Sequence, residues 1–541
     1  MADESQSGQS PAENLRDHLK PVGGQFGLEF EDGSDEDARI LPQVDLGWPV
    51  GRRLARELGQ LISRCGIFRQ GGRIVTVDAL SGEVESMTEK RFTTWVEKFV
   101  TTVKWRNGDQ QETTMADTLA GKILAADQFR DTLRELKGVH PVRMPVLRES
   151  GKVELLSPGY DEESQIFTVE TVKYDQDLPI DDAREVFVDL LQAFPWADLG
   201  SDPNALLRNR SVSVQVAAML GTYCRGMFPP GTKRPMITYI ANQPGTGKSL
   251  LAVMALSAVF GHVTGTVKPR DEEKFGVLLE TVAQTFSPYL FLDDIANGIF
   301  SNSLNSFLTR SYHGGRKFHK NDEMFHVPNV TQVYATGNGI ELTPDLQRRT
   351  LVVDMFLPGE VRGRTFENRL TDDVLAAPGL RKRVLAAMWA VVRDWSDAGA
   401  VRVENPLETF EEWTCIVGAL TRFAGFSDPL EVPDLPDGGD KQGRTWRLFL
   451  GRLAGEGILP GETERSFTVQ ECLEKAEEMV EANEIEMEDL VGHAKDQNKA
   501  FGRRMAKWKG RHITDTRGRV VQFGKRRQDK ARVYECEVIA S

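Results

Sequence analysis

The stretch from Met236 to Leu256, MITYIANQPGTGKSLLAVMAL, narrows the possible folds more than any other part of the chain. A β-rich run leads into a glycine-containing loop, then Lys-Ser, then an apolar helical run. A strand followed at once by a helix is the unit from which parallel α/β sheets are built. The glycines let main-chain N–H groups converge on phosphate oxygens, and the start of the helix adds partial positive charge. The expected phosphate-binding stretch is Asn242, Gln243, Pro244, Gly245, Thr246, Gly247, Lys248, Ser249 and Leu250. Lys248 is placed to reach the outer phosphates and Ser249 to ligate Mg²⁺. Asn242 stands where this loop pattern carries glycine, a position that asparagine tolerates because it accepts left-handed dihedrals.

Three further segments follow in order. SPYLFLDDIANG (Ser287 to Gly298) reads as a buried strand ending in two acids, which would set Asp293 beside a metal held by Ser249 and leave Asp294 to polarise water. VTQVYATGNG (Val330 to Gly339) is another strand, ending in the polar Asn338. TPDLQRRTLVVDM (Thr343 to Met355) presents Arg348 and Arg349 just before a further strand, where either arginine could reach the γ-phosphate of a neighbouring subunit. From Pro235 to about Phe356 strands alternate with helices, and helices are expected over Asp181–Phe194, Ser211–Gly226, Leu380–Trp395 and Phe410–Phe423.

At 541 residues the chain has room for three or four domains. The five cysteines are far apart with no C-x-x-C pair, which argues for reduced thiols and against a structural zinc site. The longest apolar stretch, Leu250 to Gly261, is too short to cross a bilayer, and the acidic N-terminus has no secretory pattern, so no membrane association is expected. The net charge of −13 is unevenly spread. Met1 to Arg39 carries ten acids and three bases, and Lys499 to Glu535 carries thirteen bases and three acids. The expected organisation is a disordered acidic tail (1–39), an α+β accessory domain (40–180), an α/β core with a helical extension (181–432), a linker (433–445) and a basic C-terminal domain (446–541). In the accessory region Leu54, Leu58, Leu61 and Ile62 have helical spacing, GGRIVTV reads as a turn entering a strand, Trp95, Phe99 and Val103 form an apolar stripe, and Pro145–Phe167 reads as two short strands. Between Ile40 and Phe167 no metal cluster or Asp-x-Asp pair suggests a polymerising primase.

Taken in this order, the four core elements resemble the AAA+ ATPases, and more narrowly the superfamily III-like replicative helicases of bacteriophages and bacterial mobile elements. The likeness is specific from Ile237 to Phe356 and looser over the rest of Ile40–Phe426. It implies a P-loop core, a parallel sheet with helices on both faces, that binds ATP and Mg²⁺ and forms a ring, expected to be a hexamer, in the cytoplasm of a bacterial host. It also implies that Asn338 contacts the γ-phosphate and positions water. Asp294 stands where many relatives carry glutamate. A separate primase would be a partner.

The same resemblance implies that a hairpin before the Asn338 strand projects into a central pore and grips DNA. HGGRKFHKNDEMFHVPN supplies one, with RKFH and MFHV as strands around Lys320-Asn321-Asp322, and Arg316, Lys317, His319 and Lys320 as phosphate contacts. A charged surface turn without a ligand is the other reading. The C-terminal segment reads helix, strand, basic turn, strand, the outline of a winged helix, with Arg503, Arg504, Lys507 and Lys509 on the helix and Lys525, Arg526 and Arg527 on the wing. The function expected is ATP-driven unwinding or translocation on single-stranded or forked DNA. The alternatives are an AAA+ initiator, loader or defence ATPase acting on a protein partner, or a DNA-binding regulator that uses ATP as a switch.

Overall fold

The computed structural model describes residues 41–541 except 198, 200–202, 242, 296–297, 318–319, 339, 341, 358–368, 405–406, 432–440, 458–466, 483, 492–496, 506–511, 515–519, 529–530 and 541. The acidic tail expected over 1–39 and most of the expected linker therefore lie outside the described residues. The chain forms two compact units that meet in sequence at Val432 and Pro433.

The centre of the first unit is a four-stranded parallel sheet. Its strands are β1 (Met236–Ala241), β2 (Tyr289–Ile295), β5 (Gln332–Asn338) and β6 (Thr350–Met355), in the order β2-β5-β1-β6. Between β2 and β5 the chain forms the antiparallel hairpin of β3 (Tyr312–Lys317) and β4 (Lys320–Pro328). Alternate residues of the central strands feed two cores. Ile237, Tyr239, Phe291, Tyr334, Leu351 and Val353 face one side with helices α1 (Arg210–Tyr223), α2 (Lys248–Phe260), α5 (Pro378–Asp397) and α6 (Glu411–Phe423). Met236, Ile240, Leu290, Leu292, Val333 and Ala335 face the other with α3 (Glu272–Gln284) and α4 (Asn302–Thr309). Burial on both faces explains why these strands read as near-continuous apolar runs and why α2 is apolar nearly all round.

Around this sheet the expected helices form with small shifts at their ends. The segment expected over Asp181–Phe194 is helical from Ile180 to Leu191, and α1 is followed by a 3-10 turn, Cys224–Met227. In the N-terminal region a helix runs from Ala55 to Ile62, and Gly71-Gly72, both at positive φ, join Ile67–Gln70 to Arg73–Val77 as a tight hairpin. The apolar stripe splits between elements: Trp95 lies on the helix Glu89–Val96, and Val103 on the strand Thr101–Arg106. Pro145–Phe167 holds parts of four short strands rather than two. They are Pro145–Leu147, Val153–Leu155, Gly159–Asp161 and Ile166–Thr168. Pro158-Gly159 thus separates two hairpins instead of closing one. Packing also runs through residue 180: Val142, Met144, Val153 and Val172 belong to the same core as α1 and α2.

In the second unit, α7 (Lys441–Gly457) begins inside the segment expected to be linker. It is followed by β7 (Phe467–Thr468), α8 (Val469–Glu481), α9 (Met487–Val491), α10 (Gln497–Met505), β8 (His512–Thr514), β9 (Val520–Gln528) and β10 (Ala531–Ala540). The antiparallel sheet has the order β7-β10-β9-β8. Trp446, Phe449 and Phe501 cluster with ring centroids 5.1–5.8 Å apart, at the heart of a core that is this unit's own. Thr468 and Glu471 form a reciprocal capping box at the start of α8.

Candidate functional site

The parallel register sets Ala241, at the end of β1, beside Asn338 of β5 and Met355 of β6. The loop that follows β1 therefore opens at the carboxyl edge of the sheet, where open α/β sheets form their ligand crevices. Gly245 and Gly247 both have positive φ, 77° and 106°. A β-carbon on Gly247 would also come within 3.0 Å of the Phe194 ring, so this turn requires glycine twice over. Lys248 opens α2 and is 8% exposed, its Nζ donating to the Gln243 carbonyl at 3.2 Å. Burial lowers its pKa, and the neighbouring Asp294 and Asp293 pull it back up. Gln243 ties the loop to the far side of the crevice through its Nε2, which donates to the Leu357 carbonyl at 2.9 Å. Asn242 lies outside the described residues.

At the end of β2 the ladder breaks. Leu292 pairs with Ala335 and Ile295 with Gly337, so Asp293 and Asp294 together face the single residue Thr336. This is a β-bulge, a device that re-aims side chains beside sites. The buried Thr336 hydroxyl donates to Asp293 Oδ1 at 2.5 Å and accepts from the Asp294 N–H at 3.1 Å. Ser249 Oγ donates to the same Asp293 oxygen at 2.7 Å and lies 3.5 Å from Thr336 Oγ1. Asp294 has φ 51°, a left-handed conformation, and its side chain is exposed and close enough to Lys248 to act on its charge. Two glycines make room for the bulge. A β-carbon on Gly337 would lie 2.3 Å from the Ile295 carbonyl oxygen, and one on Gly265 would lie 2.8 Å from Asp293 Cβ.

The structure thus brings Lys248, Ser249, Asp293 and Asp294 to one place, with Asn338 at the adjoining strand end. Thr336 is the residue that sequence reasoning missed. Its only signal is a hydroxyl two positions before Asn338, which means nothing until the bulge sets it opposite both acids. Among the described residues no group of three or more His, Cys, Asp or Glu side chains could hold a metal ion. A site of one carboxylate and one hydroxyl suits Mg²⁺ only when substrate phosphates complete the shell.

The two arginines after the one-turn helix Pro344–Gln347 have different surroundings. Arg348 is 77% exposed and pairs with Asp345 at 2.6 Å, whereas Arg349 donates to Asn305 Oδ1 at 2.7 Å and its carbonyl accepts from the Met236 N–H. The hairpin runs in register from Tyr312 opposite Pro328 to Arg316 opposite Met324, then shifts so that Lys317 pairs with Lys320. Arg316, Lys317 and Lys320 therefore lie at its tip, and His319 lies outside the described residues. In the second unit Arg503 is exposed on α10, while Arg504 is half-buried and donates to the Leu490 carbonyl at 3.2 Å. Lys525, Arg526 and Arg527 lie on β9, opposite Tyr534, Val533 and Arg532 of β10. Lys507 and Lys509 fall outside the described residues.

The chain is a mixed α/β protein whose parallel sheet carries, at its carboxyl edge, a Gly-Lys-Ser loop facing a bulged acidic pair. No protein-family model matches it, and no curated protein matches it. Among solved structures, the apo A form of the C-terminal region of NrS-1 (residues 305–718) is similar at 10% sequence identity, with a TM-score of 0.38, over 90% of this chain and 100% of that one. Among the described residues, no helix is long and apolar enough to cross a membrane.

Proposed function

We propose that the chain is a P-loop ATPase of the AAA+ type that translocates on DNA and separates its strands, working as a ring of subunits in the replication of a phage or mobile element. The convergence of Ser249, Asp293 and Thr336 beside Lys248 carries this reading, because that arrangement has a chemical use only when a phosphate chain lies across it. The loop N–H groups and Lys248 would hold the phosphates of ATP, and Ser249 and Asp293 would hold Mg²⁺. When bound, the metal neutralises charge that develops on the transferred phosphoryl group. Thr336 keeps Asp293 aimed at Ser249 and presents Asp294 to a water on the open side. Asn338, at the end of the neighbouring strand, would orient the same water.

In a ring, the site of one subunit needs an arginine from the next. Arg348 suits that role better than Arg349, since an exposed ion pair with Asp345 is worth about 0–1 kcal/mol and is easily exchanged for a phosphate. The hairpin tip, with Arg316, Lys317 and Lys320, would contact the DNA backbone in the pore. The order helix, strand, helices, then three antiparallel strands supports the winged-helix reading of the second unit, with Arg503 and the basic β9–β10 hairpin toward duplex DNA. Lys248→Ala tests the reading: ATP hydrolysis and strand displacement should both be lost while the fold is retained. Unwinding that survives this change contradicts it.

A further inference from the structure

A second cavity, about 620 Å³, lies in the first unit and shares no lining residue with the Gly-Lys-Ser site. Two arginines reach it from different elements. Arg225 comes from the 3-10 turn after α1, and Arg234 from just before β1. Arg234 is 6% exposed; its guanidinium donates to the main-chain carbonyls of Thr232 at 2.9 Å and Asn329 at 3.3 Å and lies 5.4 Å over the Phe228 ring, with no charged partner among the described residues. The Arg225 guanidinium has no hydrogen bond among the described residues and lies 5.9 Å from the centroid of the Phe260 ring. Neither arginine has a carboxylate partner among the described residues. Of the acids on the cavity wall, Glu135 accepts from Arg69 at 2.7 Å and Glu163 lies 3.5 Å from Arg148, while Glu149 is exposed to solvent and pairs with neither Arg225 nor Arg234.

Holding the buried Arg234 guanidinium close to the half-buried Arg225, with no carboxylate on either, is costly. The neighbours register the resulting field. Burial lowers the pKa of Arg234, and the charge of Arg225 lowers it further. His140, also on the wall, is pushed down to about 3 by burial and by Arg225, so it stays neutral and adds no charge. Guanidinium forks match phosphate oxygens in geometry as well as charge. The volume falls within the roughly 300–1,000 Å³ usual for small-molecule sites. We propose that this cavity is a phosphate-ester site, in which Arg225 and Arg234 take the phosphate and the apolar wall of Val146, Leu147 and Phe286 takes the organic part of a nucleotide-sized ligand. His326 and Pro328 of β4 also line it, so an occupant touches the root of the basic hairpin. The phosphate could belong to a free nucleotide or to a nucleic-acid strand, and the assignment does not depend on hydrolysis at Lys248.

The test is hydrogen exchange on the full chain with three probes: inorganic phosphate, ATP, and a 5′-phosphorylated oligothymidylate. At least one probe should protect peptides over 224–234 and 326–330. Its affinity should fall tenfold or more in Arg225→Gln and recover in part in Arg225→Lys. Protection by ATP assigns a free nucleotide, and protection by the oligonucleotide alone assigns a strand. Peptides over 243–251 report the Gly-Lys-Ser loop separately, so failure of that site and failure of this one are read on different peptides. Without ligand, Arg225→Gln should melt at or above the wild-type temperature, because an arginine kept for a ligand is a cost to the fold. No protection of 224–234 by any probe, unchanged affinity in Arg225→Gln, or a lowered melting temperature with protection intact would each overturn the proposal.

Discussion

One hydroxyl, that of Thr336, holds the acidic end of β2 in its working shape. Thr336→Val keeps the volume and removes the hydroxyl, leaving the Asp294 N–H with Asp293 Oδ1 as its acceptor and Asp293 held by one hydroxyl, that of Ser249, in place of two. We expect kcat for ATP hydrolysis to fall about 10–100-fold, with a stability loss of about 1–3 kcal/mol, measured by steady-state kinetics and denaturant unfolding. Gly337→Ala drives a methyl into the Ile295 carbonyl and should cost about 2–4 kcal/mol, seen as a lower unfolding midpoint with an unchanged slope. The two arginines should separate in the same kinds of assay. Arg348→Ala should leave the melting temperature unchanged and reduce hydrolysis, and mixing it with Lys248→Ala subunits should restore turnover at mixed interfaces. Arg349→Ala should lower the melting temperature, because it removes the bond to Asn305. Two buried histidines set an acid limit. Burial pushes His140 down to about 3 and His313 down to about 4. The unfolded chain binds these protons near the ordinary value of 6.5 and the folded chain does not, so stability is lost as pH falls below 6.5 toward 4. Unfolding free energies at pH 7, 5.5 and 4.5 should show that decline, and His140→Gln should flatten it.

At the scale of elements, what could be read in advance was whatever a short stretch of chain states by itself. The strand-loop-helix from Met236 carries its own signal, since the glycines and the apolar helix are adjacent in sequence, and it folds as β1, the loop and α2. The acidic strand and the Asn338 strand were legible for the same reason, as were α5 and α6. The bulge was not, because it depends on the register between β2 and β5, about forty residues apart in sequence. Nor could the sequence divide Pro145–Phe167 correctly: a Pro-Gly pair can close a hairpin or separate two, and here tertiary pairing decides. The start of α7 inside an apparently linker-like stretch has a similar cause, since Trp446 and Phe449 bury their rings against Phe501, far along the chain. Arg225 and Arg234 belong to this class too, being brought to one cavity by α1 and β1.

At the scale of the molecule, the second unit has its own core and sheet, so residues 433–541 alone should melt cooperatively. If its basic residues serve DNA, that fragment should bind duplex with an affinity that falls steeply as salt rises. If the hairpin tip grips DNA, replacing Arg316, Lys317 and Lys320 together by Ala should abolish stimulation of ATPase by DNA while leaving basal turnover in place. A protein remodeller would retain all its turnover. The most direct measurement follows ATP hydrolysis and strand displacement together on a forked duplex, with the full chain and with Lys248→Ala. Turnover should rise with DNA and be accompanied by displacement, both absent in Lys248→Ala. Turnover without stimulation or displacement, or displacement that persists in Lys248→Ala, would contradict it.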